Sequence, residues 1–499
     1  VTSVPIDRVV AESFKALRRG DTVGAVGLIR ELGKQAGQDP RSRLLQGMSA
    51  LLFGQAEAAI RLLESAWFEL SGEAQRTATI QLARARTIAG DAEGALRTID
   101  PVADAGDAPG PAIAAKAEAL IALGRAHDCE AFLDACGSPD AGGHDAAVAR
   151  ASLALSTPAD HPRLREREDK AISALEAHQE RVGVPGSVLG ELLLCLGELL
   201  ARRGEDARAA HLFKRSAGLN PNRLDVRPYA NTVGSMLQSW TEATLAKSAR
   251  VKPTPATDSE RPLFIVGMPG GGPELASNLL ALSPEVRRTR DAEALSGSIM
   301  RARAGTPGGE QPVIVDPSKL TGKQLEAAAE AYLARTGAEE AGVARVVDAF
   351  PLNLHELGVA AMMFPKARVV LVRRGAFDAC LGCLLRHRDP RLMFAHDPRS
   401  LAVFAGGLRR LEDLWLGLFR GSRLPMRALE INAEDLGTLE GAARLFEFAG
   451  VRAPGEDTIR ATIAEHARWT GHGVGLDTRF AATMPELASS VAQAEIGRV

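Results

Sequence analysis

The sequence predicts an α-helical repeat array followed by an α/β domain built on a parallel sheet. Three observations lead there. Gly20, Gly54, Gly90 and Gly124 recur at spacings of 34, 36 and 34 residues. A stretch of prolines and small polar residues, 251–260, then interrupts the helical pattern. Beyond it, short apolar runs alternate with helical segments, and the first run opens into Pro269-Gly270-Gly271-Gly272. A chain of 499 residues has room for about three domains, or for one domain and an array.

The array is read first. The glycines sit in Ala16–Asp21, Leu51–Gln55, Thr87–Asp91 and Ile121–Arg125, and five residues after each comes a small one: Ala25, Ala59, Ala95, Cys129. A fifth copy has Gly204 and Ala209, followed by Leu219-Asn220-Pro221. The 80 residues between Gly124 and Gly204 hold a diverged repeat with a Pro/His-rich insertion near 157–162. One helix ends at each glycine, which tolerates the turn. The small residue lets the next helix approach, and pairs stack because one alone buries too little apolar surface. This pattern resembles the tetratricopeptide repeat over roughly residues 5–225, although the repeat's large aromatics are mostly missing. The resemblance implies a right-handed superhelix whose concave groove binds a protein partner. The alternative is an array that only pads and solubilises the second domain. Residues 241–250 finish a helix, so the expected domains are 1–250 and 262–499, joined by a linker at 251–261.

In the second half, Leu263–Gly267, Ala344–Asp348, Ala367–Val372 and Arg427–Ile431 read as strands. Helices are expected at Glu274–Leu282, Gly322–Arg335, Leu352–Phe364, 377–386 and Leu401–Phe419, with another after Asp435. The alternation implies a sheet covered on both faces. Strand, glycine-rich turn and helix is the layout that binds phosphate in α/β folds, with backbone N–H groups aimed at the anion.

Four stretches carry a second resemblance: Phe264–Pro269, Leu282–Val286, Val347–Asn353 running to Phe364–Ala367, and Val372–Cys383. Over residues 261–465 the chain is similar to the sulfotransferase family, in the bacterial form that carries tetratricopeptide repeats in front. That resemblance implies a P-loop-like fold and transfer of a sulfuryl group from 3′-phosphoadenosine-5′-phosphosulfate (PAPS) to a hydroxyl or amine, leaving adenosine 3′,5′-bisphosphate (PAP). The departures from the family are specific. Its loop continues Arg-Ser-Gly-Thr-Thr, where this chain has Gly270-Gly271-Gly272-Pro273-Glu274. The cation and hydroxyl donors are gone, and Pro273 removes an N–H at the helix start. Glu274 favours the helix dipole but repels a bound anion by on the order of 4 kcal/mol at roughly 4 Å, with an effective dielectric near ~20. Ala349 stands where the family has Lys, and Gly382 where a Ser accompanies the 3′-phosphate Arg. Arg374, the matching Arg, is retained. Amides of Gly270, Gly271 and Gly272, with Arg374, are the remaining candidate donor contacts. Glu293, two residues out of register, is the candidate general base. Arg374 can instead pair with Asp378 one helical turn on and fix a corner. The family's closing C-terminal run is replaced by 469–477.

Lys+Arg is 60 and Asp+Glu 62, a net charge of −2, which argues against a nucleic-acid binder driven by bulk charge. Counting gives 50 Arg and 10 Lys, the mark of a GC-rich genome. No apolar run reaches about 18 residues, so no membrane span is expected, and the first 30 residues lack the features of a signal peptide. Five scattered cysteines make no disulfide framework, and a cytoplasmic protein is expected. Cys380 and Cys383 read as core, with no metal site. His387 and His396 read as surface residues, and basic stretches at 287–290 and 384–391 as solvated faces or partner contacts. Three functions remain: a sulfotransferase-fold protein degenerate in donor binding that acts by interaction or assembly, an active sulfotransferase with a rearranged donor site, and a binder of another anionic ligand.

Overall fold

The computed structural model describes residues 6–136, 143–181, 183–220, 224–289, 291–305, 313–385, 392–470 and 479–495. They form two compact units, divided between the helix that ends at Leu219 and Leu224; the short turn Met393–His396 counts with the first.

The first unit is all helical. Its pairs are α1 (Ile6–Arg18) with α2 (Thr22–Ala36), α3 (Pro40–Leu52) with α4 (Ala56–Trp67), α5 (Gly72–Ala89) with α6 (Ala92–Ala103), α7 (Gly110–Ala122) with α8 (Ala126–Ala135), α9 (Gly143–Ser156) with α10 (Leu164–Gln179), and α11 (Gly186–Arg202) with α12 (Asp206–Leu219). The five glycines of the repeat all adopt positive φ. At Gly90 (φ 87°) the N–H closes α5 onto the carbonyls of Arg86 and Thr87. Ala25, Ala59, Ala95, Cys129 and Ala209 are each 0% exposed, as the close approach of paired helices requires. The diverged repeat is α9 and α10, and the Pro/His-rich insertion is the loop between them.

Arginine holds this array together in a way lysine cannot. Arg202 spreads its guanidinium over the carbonyls of Ala154 (3.0 Å), Leu155 (3.1 Å) and Thr157 (2.7 Å) at the end of α9. Arg167 donates twice to Glu130 (2.9 and 3.0 Å), with both side chains buried. The Arg202 fork supplies donors to carbonyls at a helix C-terminus, where intrahelical donors run out. The unit also curls back on itself, for the Ser187 hydroxyl at the start of α11 donates to the Arg18 carbonyl at the end of α1 (3.2 Å).

The second unit opens with α13 (Val226–Ser239) and α14 (Glu242–Lys247). It continues through β1 (Pro262–Val266), α15 (Pro273–Leu280), β2 (Val286–Arg288), α16 (Ala294–Arg303), α17 (Gly322–Thr336), β3 (Arg345–Asp348), α18 (Leu357–Met363), β4 (Arg368–Arg373) and α19 (Ala376–Leu384). After these come α20 (Pro398–Arg420), β5 (Arg427–Asn432), α21 (Ala433–Leu436), α22 (Leu439–Ala449), α23 (Glu456–Thr470) and α24 (Pro485–Glu495). The strands form one parallel sheet in the order β2-β3-β1-β4-β5. All five residues of β1 are buried, as a central strand between two helical layers must be. The chain moves from β1 to one side of the sheet and returns past it to the other, so the loop after β1 lies at the switch point where such folds place ligands.

The compact units divide at 220–224, and α13 and α14 group with the second unit ahead of the linker expected at 251–261. Trp240, at the end of α13, is 1% exposed. Its ring meets Trp415 edge-on with centroids 4.9 Å apart, and its Nε1 donates to the Ile314 carbonyl (3.3 Å). The basic run at 287–290 is not simply a solvated face, since Val286–Arg288 pair in register with Arg345–Val347 as the sheet's short edge strand β2. Among the described residues no helix is long and apolar enough to cross a membrane.

Removing the Trp240 ring leaves a cavity against Trp415 and Gly358. In the intact chain Trp240→Ala should lower the stability of the second unit by about 3–5 kcal/mol. Urea unfolding followed by tryptophan fluorescence measures it, and an unchanged midpoint would contradict the placement of α13.

Candidate functional site

The glycine-rich loop is closed upon itself. Gly267 has φ 153°, and a Cβ there would lie 2.4 Å from the Val372 carbonyl oxygen. The Gly271 N–H donates to the Met268 carbonyl (2.8 Å), closing a turn. The Gly270 N–H donates to the Glu274 carboxylate (Oε1, 3.4 Å). Pro273 occupies the first turn of α15 and offers no N–H. Glu274 thus supplies from within the chain the negative charge that a loop of this kind otherwise takes from a ligand.

A second contact explains why the loop can lie so low. A Cβ on Gly270 would fall 2.5 Å from the carbonyl carbon of Gly382 in α19. A Cβ on Gly382 would fall 2.6 Å from the Gly270 carbonyl oxygen. The two positions that depart from the family's Arg and Ser therefore touch each other, backbone to backbone. In this packing the family's pair of side chains does not fit. Nothing in the sequence announced that 270 and 382 are partners, because they are linked only through adjacent strand ends.

At the end of β4 two arginines diverge. Arg373 is surrounded by carboxylates, with Glu430 at 3.0 Å, Glu412 at 3.3 Å and Asp413 as a third partner. Burial pushes Glu412 up to about 7 despite Arg373 and Arg409 beside it. Arg374 faces Asp378 (3.8 Å) and Glu434 (3.7 Å), the corner-fixing geometry, at distances too long for hydrogen bonds. Both arginines and Met268 line a cavity of about 430 Å³ with residues of α20 and α24.

The end of β3 carries an acid cluster. Asp348 receives hydrogen bonds from Asn353 Nδ2 (2.8 Å), the Tyr332 hydroxyl (3.2 Å) and the Phe350 N–H (3.3 Å). Burial pushes Asp348 up to about 7, and burial with the nearby Asp348 pushes Glu356 up to about 8. Ala349, half-buried beside them, supplies no cation. Tyr332 and Glu356 join this cluster from α17 and the start of α18, and no motif had marked them.

The other expected residues are dispersed. Glu293 is the N-cap residue of α16 and does not line the cavity; its neighbour Asp291 is held by Arg335 (2.5 Å). Cys380 and Cys383 are buried and form no disulfide, and no metal-binding group is present among the described residues. His396, expected at the surface, is 2% exposed because it closes a turn whose Phe394 and Ala395 are also buried. His387, most of the basic stretch at 384–391 and most of 469–477 lie outside the described residues.

Glu356 gives a pH dependence with a defined sign. It is protonated in the fold and ionised in the unfolded chain between about pH 4.5 and 8, so its contribution to stability falls as pH rises through that window. Glu356→Gln should match the wild type near pH 4.5 and exceed it near pH 8 by on the order of 2–4 kcal/mol. Thermal unfolding of both proteins across this range checks it. A constant difference between them would remove Glu356 as the source.

Residues 262–453 match the profile of the Sulfotransferase family. An uncharacterized protein of Aquifex aeolicus (strain VF5) is 22% identical over 262 residues, which cover 51% of this chain. The chain spans about a third of that relative's length, 34%. The parallel sheet, the loop after its central strand and the matched residues agree: the second unit contains a sulfotransferase-family domain.

Proposed function

We propose that this protein is a sulfotransferase-fold protein that does not bind the sulfuryl donor, and that it acts by interaction, with a protein partner held by its helical array. The hydrogen bond from the Gly270 N–H to Glu274 carries this reading. It places a carboxylate on the amide that a phosphosulfate group would use. Three further observations support it. The Gly271 N–H is engaged by Met268, Gly270 abuts Gly382, and no lysine stands beside Asp348. Charge that develops during sulfuryl transfer would meet no cation at position 349 and a carboxylate at 274, whereas catalysis of this type depends on electrostatic stabilisation. PAPS and PAP therefore do not fit the residues present.

For the array, the support is the polar surface of α5, α7, α9 and α11, which pack in succession. Arg84 of α5 pairs with Glu118 of α7 (3.3 Å), and Glu118, half-buried, is pushed up by its surroundings, Glu191 of α11 and Asp145 of α9 included. A face on which carboxylates crowd while reachable by solvent suits a partner with basic side chains.

Titration calorimetry of the intact protein with PAP should show no saturable heat, and labelled sulfate should not transfer from PAPS. A micromolar Kd for PAP overturns the reading. Gly270→Arg, which restores the family residue alone, should not create binding. It should instead destabilise the second unit by about 1–3 kcal/mol through overpacking against Gly382.

A further inference from the structure

The cavity at the ends of β4 and β5 is separate from the closed loop amides, and its lining has a definite chemistry. Four cations face it, Arg373, Arg374, Arg409 and Arg410, against three carboxylates, Glu412, Asp413 and Glu434. Arg373 is committed to Glu412, Asp413 and Glu430, and Arg409 to Glu412 (3.3 Å). Two cations are less tightly held: Arg374 faces Asp378 (3.8 Å) and Glu434 (3.7 Å) without a hydrogen bond to either, and Arg410 stands apart. The Arg374 side chain is 9% exposed, and its Nε has no hydrogen-bond partner among the described residues. Arg410 is exposed at the cavity and has no ion pair among the described residues. A guanidinium nitrogen buried without an acceptor is costly and is relieved by one oxygen anion.

The rest of the wall is aliphatic. Val372, Ala402, Val403, Leu408, Val491 and Ala494 line it, and no aromatic ring does so among the described residues. A purine would find no stacking surface. The lining arginines are already offset by carboxylates, counting Glu430 beside Arg373 and Asp378 beside Arg374, so a bisphosphate nucleotide would bring several further negative charges without matching cations. The helix that closes the cavity, α24, packs closely on α20, with Ala494 beside Gly406.

We propose that this cavity binds a small aliphatic monocarboxylate, its carboxylate held by Arg374 and Arg410 and its chain laid along α20 and α24. The proposal rests on the reading that the donor is not bound, since a nucleotide held by Arg374 would occupy the same space.

The test uses the intact protein, with calorimetry and thermal shift against octanoate, octanol, inorganic phosphate and PAP. Octanoate should bind saturably at one site. Octanol and phosphate should bind at least tenfold more weakly, because one lacks the charge and the other the chain. Arg410→Gln, at an exposed position, should leave the unliganded melting temperature unchanged and weaken octanoate at least tenfold. Absence of saturable octanoate binding overturns the proposal. So does octanol or phosphate binding as tightly as octanoate, or octanoate binding unaffected by Arg410→Gln. PAP binding that displaces octanoate overturns instead the reading on which the proposal rests.

Discussion

The loop after β1 lies against α19 only because neither Gly270 nor Gly382 carries a Cβ, and the local architecture of the second unit follows from that contact. With the backbones this close, the loop turns its amides inward, and Gly271 closes onto Met268. Glu274, in the first turn of α15, then reaches the amide of Gly270 and also favours the dipole of its own helix. A phosphate-cradling turn thereby becomes a self-satisfied corner. The substitutions at 270, 274 and 382 are parts of one packing solution rather than three separate losses.

The neighbouring strand ends show what such a solution costs. Asp348 and Glu356 are buried with no cation paired to them among the described residues, so their ionised forms are disfavoured in the fold. Arg373 goes the other way, neutralised by three carboxylates. Between these settled clusters, Arg374 and Arg410 are the cations without close acceptors among the described residues, and they border the same cavity. Domains of this fold place ligands at strand ends, and here the Gly270 and Gly271 amides are engaged within the chain while the adjoining hollow is lined by arginines.

The array depends on a different constraint, close approach of paired helices. Fully buried Ala25, Ala59, Ala95, Cys129 and Ala209 set the spacing, and forked arginines such as Arg202 and Arg167 tie successive pairs through carbonyls and buried carboxylates. The excess of Arg over Lys acquires a physical role here, since an ammonium does not span three carbonyls in one plane. The reading of that excess as genome bias accounts for its extent, not for these positions.

The repeat, its turn glycines and four of the five strands were legible from the sequence, because each rests on local chemistry: left-handed backbone at Gly90, a small residue five positions on, a buried apolar run such as Leu263–Val266. The strand β2 was not, since Val286–Arg288 is three residues long, partly exposed, and defined only by its pairing with β3. The place of α13 was not either, because Trp240 finds Trp415 and Ile314 across long sequence separations. For the site, the sequence by itself determined which donor groups are missing: Arg, Lys and Ser at 270, 349 and 382. Only the tertiary structure decided that 270 and 382 touch, that Glu274 turns back on the loop, and that Arg374 shares a cavity with Arg410 from α20. Residue identities are carried along the chain, but these contacts form between elements that only the sheet's crossovers bring together.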